Sequence, residues 1–188
     1  MPLLLETDRL LIRELQPEDA LGMFEMDSDP EVHKYVGRSP VTTLEESERV
    51  IGYVRDQYAE WGIGRWAVLD KKDESFLGWT GFKWMAEPIN GHINFYDFGY
   101  RFQRRAWGQG IATESGRAAL EYGLRTLGYK PVYAMTDPAN GASRHILEKL
   151  GFRYVETFHY DGPTAWSWRP ADDPLCTWYV LDLPETGG

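Results

Sequence analysis

The most concentrated chemistry in this sequence lies past mid-chain, in Gln103-Arg104-Arg105-Ala106-Trp107-Gly108-Gln109-Gly110-Ile111-Ala112-Thr113-Glu114. The stretch leaves a strand-like run, carries two closely spaced glycines and enters a helical pattern. Glycines at such a junction let backbone N–H groups approach a ligand with no Cβ in the way. The unpaired N–H groups of a helix start, together with the helix dipole, make a ready anion site. Arg101, Arg104 and Arg105 form a small basic island beside it, and a diphosphate is the expected guest. A tight strand-to-helix turn that binds nothing remains the competing reading. A dinucleotide turn would want Gly-x-Gly-x-x-Gly in an early βαβ unit, with an acid about 20 residues on. Here Thr113 holds the third glycine's place and the preceding strand belongs to a meander. A Walker-type loop fails as well, because no Gly-Lys-Ser or Gly-Lys-Thr follows.

Other reactive side chains are sparse. His33, His92, His145 and His159 are scattered without ligand spacing, so no metal is expected. Cys176 is the single cysteine, which excludes an internal disulfide and any Cys-pair metal site. It lies in a strand-like run with no obvious basic partner and reads as a small buried apolar residue, not a nucleophile. Asn140 is a good helix N-cap by type and position.

These residues must be held by a mixed α/β scaffold. Leu5 to Arg13 reads as a strand, and Pro17-Glu18-Asp19-Ala20 opens a helix. Thr43 is a candidate N-cap for a second helix over Leu44 to Trp61, where Ile51, Val54, Tyr58 and Trp61 recur at helical spacing. Arg65 to Asp70, Phe76 to Trp84 and His92 to Phe102 are strand-like, the last following an Asn90-Gly91 turn signal. Gly108 to Leu127 reads as a long helix, Pro131 to Met135 as a strand and Asn140 to Leu150 as a short helix. Phe152 to Tyr160 and Leu175 to Leu183 close as strands. Between them, Asp161 to Pro174 is a loop whose Trp166 and Trp168 either line an acceptor groove or pin the loop down.

The 188 residues favour one compact domain spanning 1–188. With 43% hydrophobic and 14% aromatic residues, the chain has too much large apolar content for disorder. Its apolar runs are too short and too interrupted by charge to span a membrane, and the start lacks a signal peptide's pattern. A cytoplasmic location is the expectation. Net charge is −9, which repels phosphate backbones and disfavours nucleic-acid binding. That charge, with Asp172 and Asp173, suits a cationic acceptor.

Arg105-Ala106-Trp107-Gly108-Gln109-Gly110 resembles the coenzyme A pyrophosphate loop, Arg/Gln-x-x-Gly-x-Gly/Ala, of the GCN5-related N-acetyltransferases (GNAT). Glu6-Thr7-Asp8-Arg9-Leu10 with Pro17-Glu18-Asp19-Ala20 resembles the opening of the subgroup that acetylates the N-terminal alanine of ribosomal proteins (RimJ/RimL-like). Trp107 to Glu114 is similar to that subgroup's loop, and Asn140-Gly141-Ala142-Ser143 with Leu147-Glu148-Lys149-Leu150-Gly151-Phe152 to its last helix and turn. The resemblance implies a single-domain GNAT-like mixed sheet of about seven strands, splayed at its centre, with about four helices.

It further implies that acetyl-CoA enters the splay between the strand ending near Phe102 and Val132 to Met135. The pantetheine arm would follow Tyr100, Arg101 and Phe102. The pyrophosphate would sit on the N–H groups of Arg105 to Gly110, with Arg104, Ile111 and Ala112 adjoining. Asn140 would touch the pantetheine arm as well as cap its helix. Asp97 matches the position of the family's strand glutamate, which acts through water as a base. Alternation places Asp97 with Ile93 and Phe95, and apolar neighbours would raise its pKa; a local backbone role at a bulge is the alternative. The tyrosine that protonates the thiolate in many relatives is here Leu147, and the Ser143 hydroxyl, or a water it holds, is the expected replacement.

The implied activity is acetyl transfer from acetyl-CoA to a primary amine, by direct attack in a ternary complex. The subgroup resemblance favours a protein N-terminus as acceptor over a small cationic amine. At pH 7 an α-amine of pKa near 7.8 is ~14% neutral, whereas a lysine amine is ~0.04% neutral and asks more of a base. The alternative is a non-catalytic acyl-CoA sensor with the same cleft. The protein is expected to be a monomer or homodimer.

Overall fold

A computed structural model describes residues 4–36, 39–162 and 175–181. Its sheet has eight strands: β1 (Leu5–Glu6), β2 (Leu10–Glu14), β3 (Arg65–Asp70), β4 (Phe76–Met85), β5 (Phe95–Phe102), β6 (Val132–Thr136), β7 (Phe152–His159) and β8 (Leu175–Leu181). Five α-helices accompany them: α1 (Ala20–Asp27), α2 (Pro30–His33), α3 (Leu44–Trp61), α4 (Ile111–Arg125) and α5 (Gly141–Lys149). The two-residue β1 accounts for the strand beyond the expected seven, and the one-turn α2 for the helix beyond the expected four.

The strand order is β1-β2-β3-β4-β5-β6-β8-β7, and every neighbouring pair is antiparallel except β5 and β6. That parallel pair is brief, joining only Tyr96 to Val132 and Asp97 to Tyr133. On its other edge β5 pairs with β4 along its whole length, from Met85 opposite Phe95 to Gly78 opposite Phe102. Beyond Asp97, therefore, β5 stays with β4 while β6 stays with β8, and the sheet opens into a V. The central splay that the resemblance implies is present.

Both faces of the central strands β3 and β4 are covered, which is why they read as nearly continuous apolar runs, whereas the edge strand β7 is largely exposed. Trp66 and Val68 join a core with Phe82, Phe98 and Ala119, while the alternating Ala67 and Leu69 join Met23, Met26, Ile51 and Val54 on the other side. Phe82 and Phe98 are fully buried, each stabilising the fold by roughly 1.5–3 kcal/mol. A third cluster, Phe95 with Phe158, Cys176 and Trp178, closes the far end of the sheet. α3 runs over the predicted range and stops at Gly62, whose left-handed backbone (φ 66°) lets its N–H reach the Tyr58 carbonyl. No helix among the described residues is long and apolar enough to cross a membrane.

Candidate active site

The glycine turn occupies the open end of the V. β5 ends at Phe102, one turn of 3₁₀ helix covers Arg104–Ala106, and α4 begins at Ile111 rather than at Gly108 as predicted. Gly108 (φ 71°) and Gly110 (φ 78°) both lie in the left-handed region that favours glycine. The Ala106 and Trp107 N–H groups are already bonded to the Gln103 and Arg104 carbonyls. The N–H groups of Gly108, Gln109, Gly110, Ile111, Ala112 and Thr113 have no partner among the described residues. Within the expected Arg105 to Gly110, therefore, only Ala106 and Trp107 have their N–H groups committed, and the uncommitted donors continue past Gly110 into the first turn of α4. With the positive end of α4 behind them, they suit a diphosphate.

The basic island also makes contacts within the protein. Arg101 is buried and its Nη1 donates to Asp27 Oδ1 at 2.8 Å. Arg104 pairs with Asp29 at 3.1 Å, and Arg105 donates to Gln103 Oε1 at 2.7 Å and the Phe76 carbonyl at 2.8 Å. These three guanidiniums tie the turn to α1, the α1–α2 connection and β4, so the cradle is chiefly backbone. Arg9 does similar work from the N-terminal side. It pairs with Glu114 at 2.6 Å and donates to the Gln109 carbonyl at 3.0 Å. Burial raises the Glu114 carboxyl, but hydrogen bonds from Thr7 and Arg9 outweigh it and hold it below its ordinary value.

The V itself is a cavity of about 180 Å³. Asp97, Gly99, Tyr100 and Arg101 of β5 form one wall; Met135 and Thr136 of β6, with Asn140, Ser143 and Leu147, form the other. Asp97 does not sit among apolar neighbours as expected. Its Oδ2 receives Arg65 Nη2 at 2.6 Å, and Ile93 lies before β5 begins and is exposed. The reason is the register. Arg65 faces Gly81 on β4, and Gly81 faces Gly99 on β5. Two strand glycines leave a trough along which the Arg65 side chain lies flat, and a Cβ at Gly99 would come within 3.0 Å of Arg65 Nη1. Arg65 also donates to the Gly81 and Asp97 carbonyls and lies over the Trp79 ring, 5.0 Å from its centre. Asp97 Oδ1 makes no hydrogen bond among the described residues, so one carboxylate oxygen remains for a water or an amine.

Across the cleft, Asn140 Oδ1 accepts the Ser143 N–H at 3.1 Å, which is the N-cap of α5. Ser143 is half-buried, and both its carbonyl oxygen and its Oγ lie within hydrogen-bond distance of the Tyr100 hydroxyl, at 2.9 and 3.1 Å. Leu147 is buried against the core, so α5 offers no phenol there. Cys176 lines the cavity. Burial first, then Asp137 and Asp97, push its thiol up to about 12, and it is protonated at neutral pH.

Arg65, Trp79 and Lys83 also line the cleft and were not singled out from the sequence. A signal existed in Gly81 and Gly99, since a glycine inside a strand marks close approach of another group. Trp166, Trp168, Asp172 and Asp173 lie outside the described residues.

Residues 9–153 match the family model described as Acetyltransferase (GNAT) domain. An uncharacterized N-acetyltransferase p20 of Bacillus licheniformis is 31% identical over 149 residues, 79% of this chain and 82% of that protein. The FsC-acetyl coenzyme A-N(2)-transacetylase of Aspergillus fumigatus is 30% identical over 169 residues, 85% of this chain and 69% of that protein. Among solved structures, RimL, a ribosomal L7/L12 alpha-N-protein acetyltransferase in complex with coenzyme A, superposes with a TM-score of 0.74. It is 13% identical, and the match covers 95% of this chain and 97% of that one, a likeness of fold. With its splayed sheet, its backbone cradle at the start of α4 and a family match over most of its length, this chain belongs to the GNAT acetyltransferase family.

Proposed function

We propose that the protein transfers the acetyl group of acetyl-CoA to an α-amine, with a protein N-terminus favoured, by direct attack in a ternary complex, and that residues 1–188 act as one acetyltransferase domain. The observation that carries this reading is the opposition of Asp97 and Ser143 across the V, next to six uncommitted backbone N–H groups. In this reading the diphosphate rests on Gly108 to Thr113, and the pantetheine arm runs down the strand edge that β5 leaves unpaired after Asp97. Asp97 Oδ1 takes the amine's proton through water as the nitrogen attacks the thioester carbon. Ser143 protonates the departing sulfur. A thiolate with pKa near 8.5 leaves readily, so a weak donor suffices.

Arg65 bears on the choice of acceptor. It occupies one oxygen of Asp97, so the carboxylate is a poor anchor for a second ammonium group on a polyamine. An α-amine, already partly neutral at pH 7, needs only a modest base. The test incubates the protein with acetyl-CoA and, separately, a peptide with a free N-terminus, the same peptide blocked there but carrying lysine, and a polyamine. Gain of one acetyl group at the α-amine, with slower or no reaction elsewhere, is expected. Acetyl-CoA binding without transfer to any amine would instead make the chain a sensor.

A further inference from the structure

The Tyr100 side chain reaches from the β5 wall of the cleft to the α5 wall through its hydroxyl. Its ring belongs with the core under α4, while its hydroxyl lies at the mouth of α5, 2.9 Å from the Ser143 carbonyl oxygen and 3.1 Å from Ser143 Oγ. A phenol carries one proton and here has two acceptors. When that proton lies on the carbonyl, the phenol oxygen accepts from Ser143 Oγ–H and turns the serine proton away from the cleft. When it lies on Oγ, the serine's only proton is left to point toward the cleft. We propose that Tyr100 is a positioning residue for acetyl transfer: its hydroxyl holds Ser143 Oγ and directs the serine proton at the sulfur of the departing coenzyme. The inference rests on the acetyltransferase reading above, with Ser143 as donor.

The chemistry balances with water as the only other participant. The amine nitrogen bonds to the thioester carbon, the C–S bond breaks with its electron pair on sulfur, and the Ser143 hydroxyl proton moves to that sulfur. Water restores the serine proton, and the proton lost by the amine leaves through Asp97, giving amide and free thiol. Tyr100 transfers nothing. Burial pushes its phenol well above the ordinary value near 10, so it stays protonated and remains a donor at any working pH. Leu147 gives the arrangement its reason. With an apolar side chain at that position of α5, the phenol that meets this helix comes from the opposite wall and acts on the serine.

The test is a double-mutant cycle on turnover, comparing wild type, Tyr100→Phe, Ser143→Ala and the double variant, with acetyl-CoA affinity measured for each. Phenylalanine keeps the ring in the core, and a melting curve for each protein checks the fold. Loss of one orienting hydrogen bond should lower kcat by roughly five- to tenfold, with acetyl-CoA affinity within twofold of wild type. In the Ser143→Ala background the same change should do nothing further. An unchanged kcat in Tyr100→Phe overturns the proposal, as does an equal additional loss in the Ser143→Ala background, which is what a merely structural role predicts. A wild-type protein that acetylates no amine removes the function reading itself, whereas additivity in an active enzyme removes only the role of Tyr100.

Discussion

Replacing Gly108 by alanine separates a binding cradle from a simple turn. A Cβ at Gly108 meets nothing within 4 Å, so the substitution creates no clash, and only its backbone (φ 71°) matters. Holding alanine in the left-handed region costs about 1–2 kcal/mol. The turn can escape by rotating to negative φ, which swings the N–H groups of Gly108 and Gln109 out of the cradle. Binding acetyl-CoA then has to restore the glycine-like conformation, and affinity falls by the same factor, roughly 5- to 30-fold. Gly128 is a matched control. It too is left-handed (φ 70°) with nothing within 4 Å of its added Cβ, but it follows the far end of α4. Gly128→Ala should lose a similar 1–2 kcal/mol of stability, roughly 2–8 °C in Tm, and leave acetyl-CoA affinity alone. Calorimetric titration and thermal melts of both variants read the two effects apart. Gly108→Ala binding acetyl-CoA within twofold of wild type would refute the cradle, and equal weakening in Gly128→Ala would show that the loss is global.

Asp97→Asn should slow transfer to lysine-type amines at least ~10-fold more than transfer to α-amines, because only the former depend strongly on a base; equal losses in steady-state rates would argue for a purely structural Asp97–Arg65 pair. Arg9→Ala removes the contacts to Gln109 and Glu114 but touches no N–H of the cradle. As a surface pair with a half-exposed guanidinium, it should weaken acetyl-CoA binding only about 2–5-fold in the same titration, with little change in Tm. Asp27→Asn breaks a buried pair with Arg101 and should destabilise the fold by about 3–5 kcal/mol in a denaturant melt. Burial raises the Asp27 carboxyl, but Arg101 and His33 more than offset it and the net pKa is lowered. Its contribution is therefore present above the ordinary carboxylate value near 4 and is lost as pH falls through the lower folded value. The gap between wild type and Asp27→Asn should close on acidification, and a gap that persists at the lowest pH where the protein stays folded would contradict the linkage.

The contrast between Gly108 and Asp97 shows where sequence reading reached and where it stopped. The amphipathic repeat of Ile51, Val54, Tyr58 and Trp61 with a terminal Gly62 determined α3 to the residue. The glycine pair of 108 and 110 marked the turn that leaves N–H groups uncommitted, since a left-handed backbone and a helix start are properties of a few consecutive residues. The resemblance carried by motifs between Leu5 and Phe152 implied the splayed sheet, which the two-residue pairing of β5 and β6 displays.

What the tertiary structure decided is which side chains meet. Arg65 and Asp97 are 32 positions apart, and Arg101 and Asp27 are 74 apart. No local rule pairs them, because a strand residue's neighbours depend on the register of two other strands, and a shift by one would turn each side chain to the opposite face. The register that lines Arg65 up with Gly81 and Gly99 replaced the expected apolar setting of Asp97 with an ion pair, and the fold paired the Arg101 guanidinium with the Asp27 carboxylate of α1. The sequence by itself determined conformation over short spans, where backbone stereochemistry and periodicity act. The electrostatics of the cleft waited on the packing that brought distant charges together.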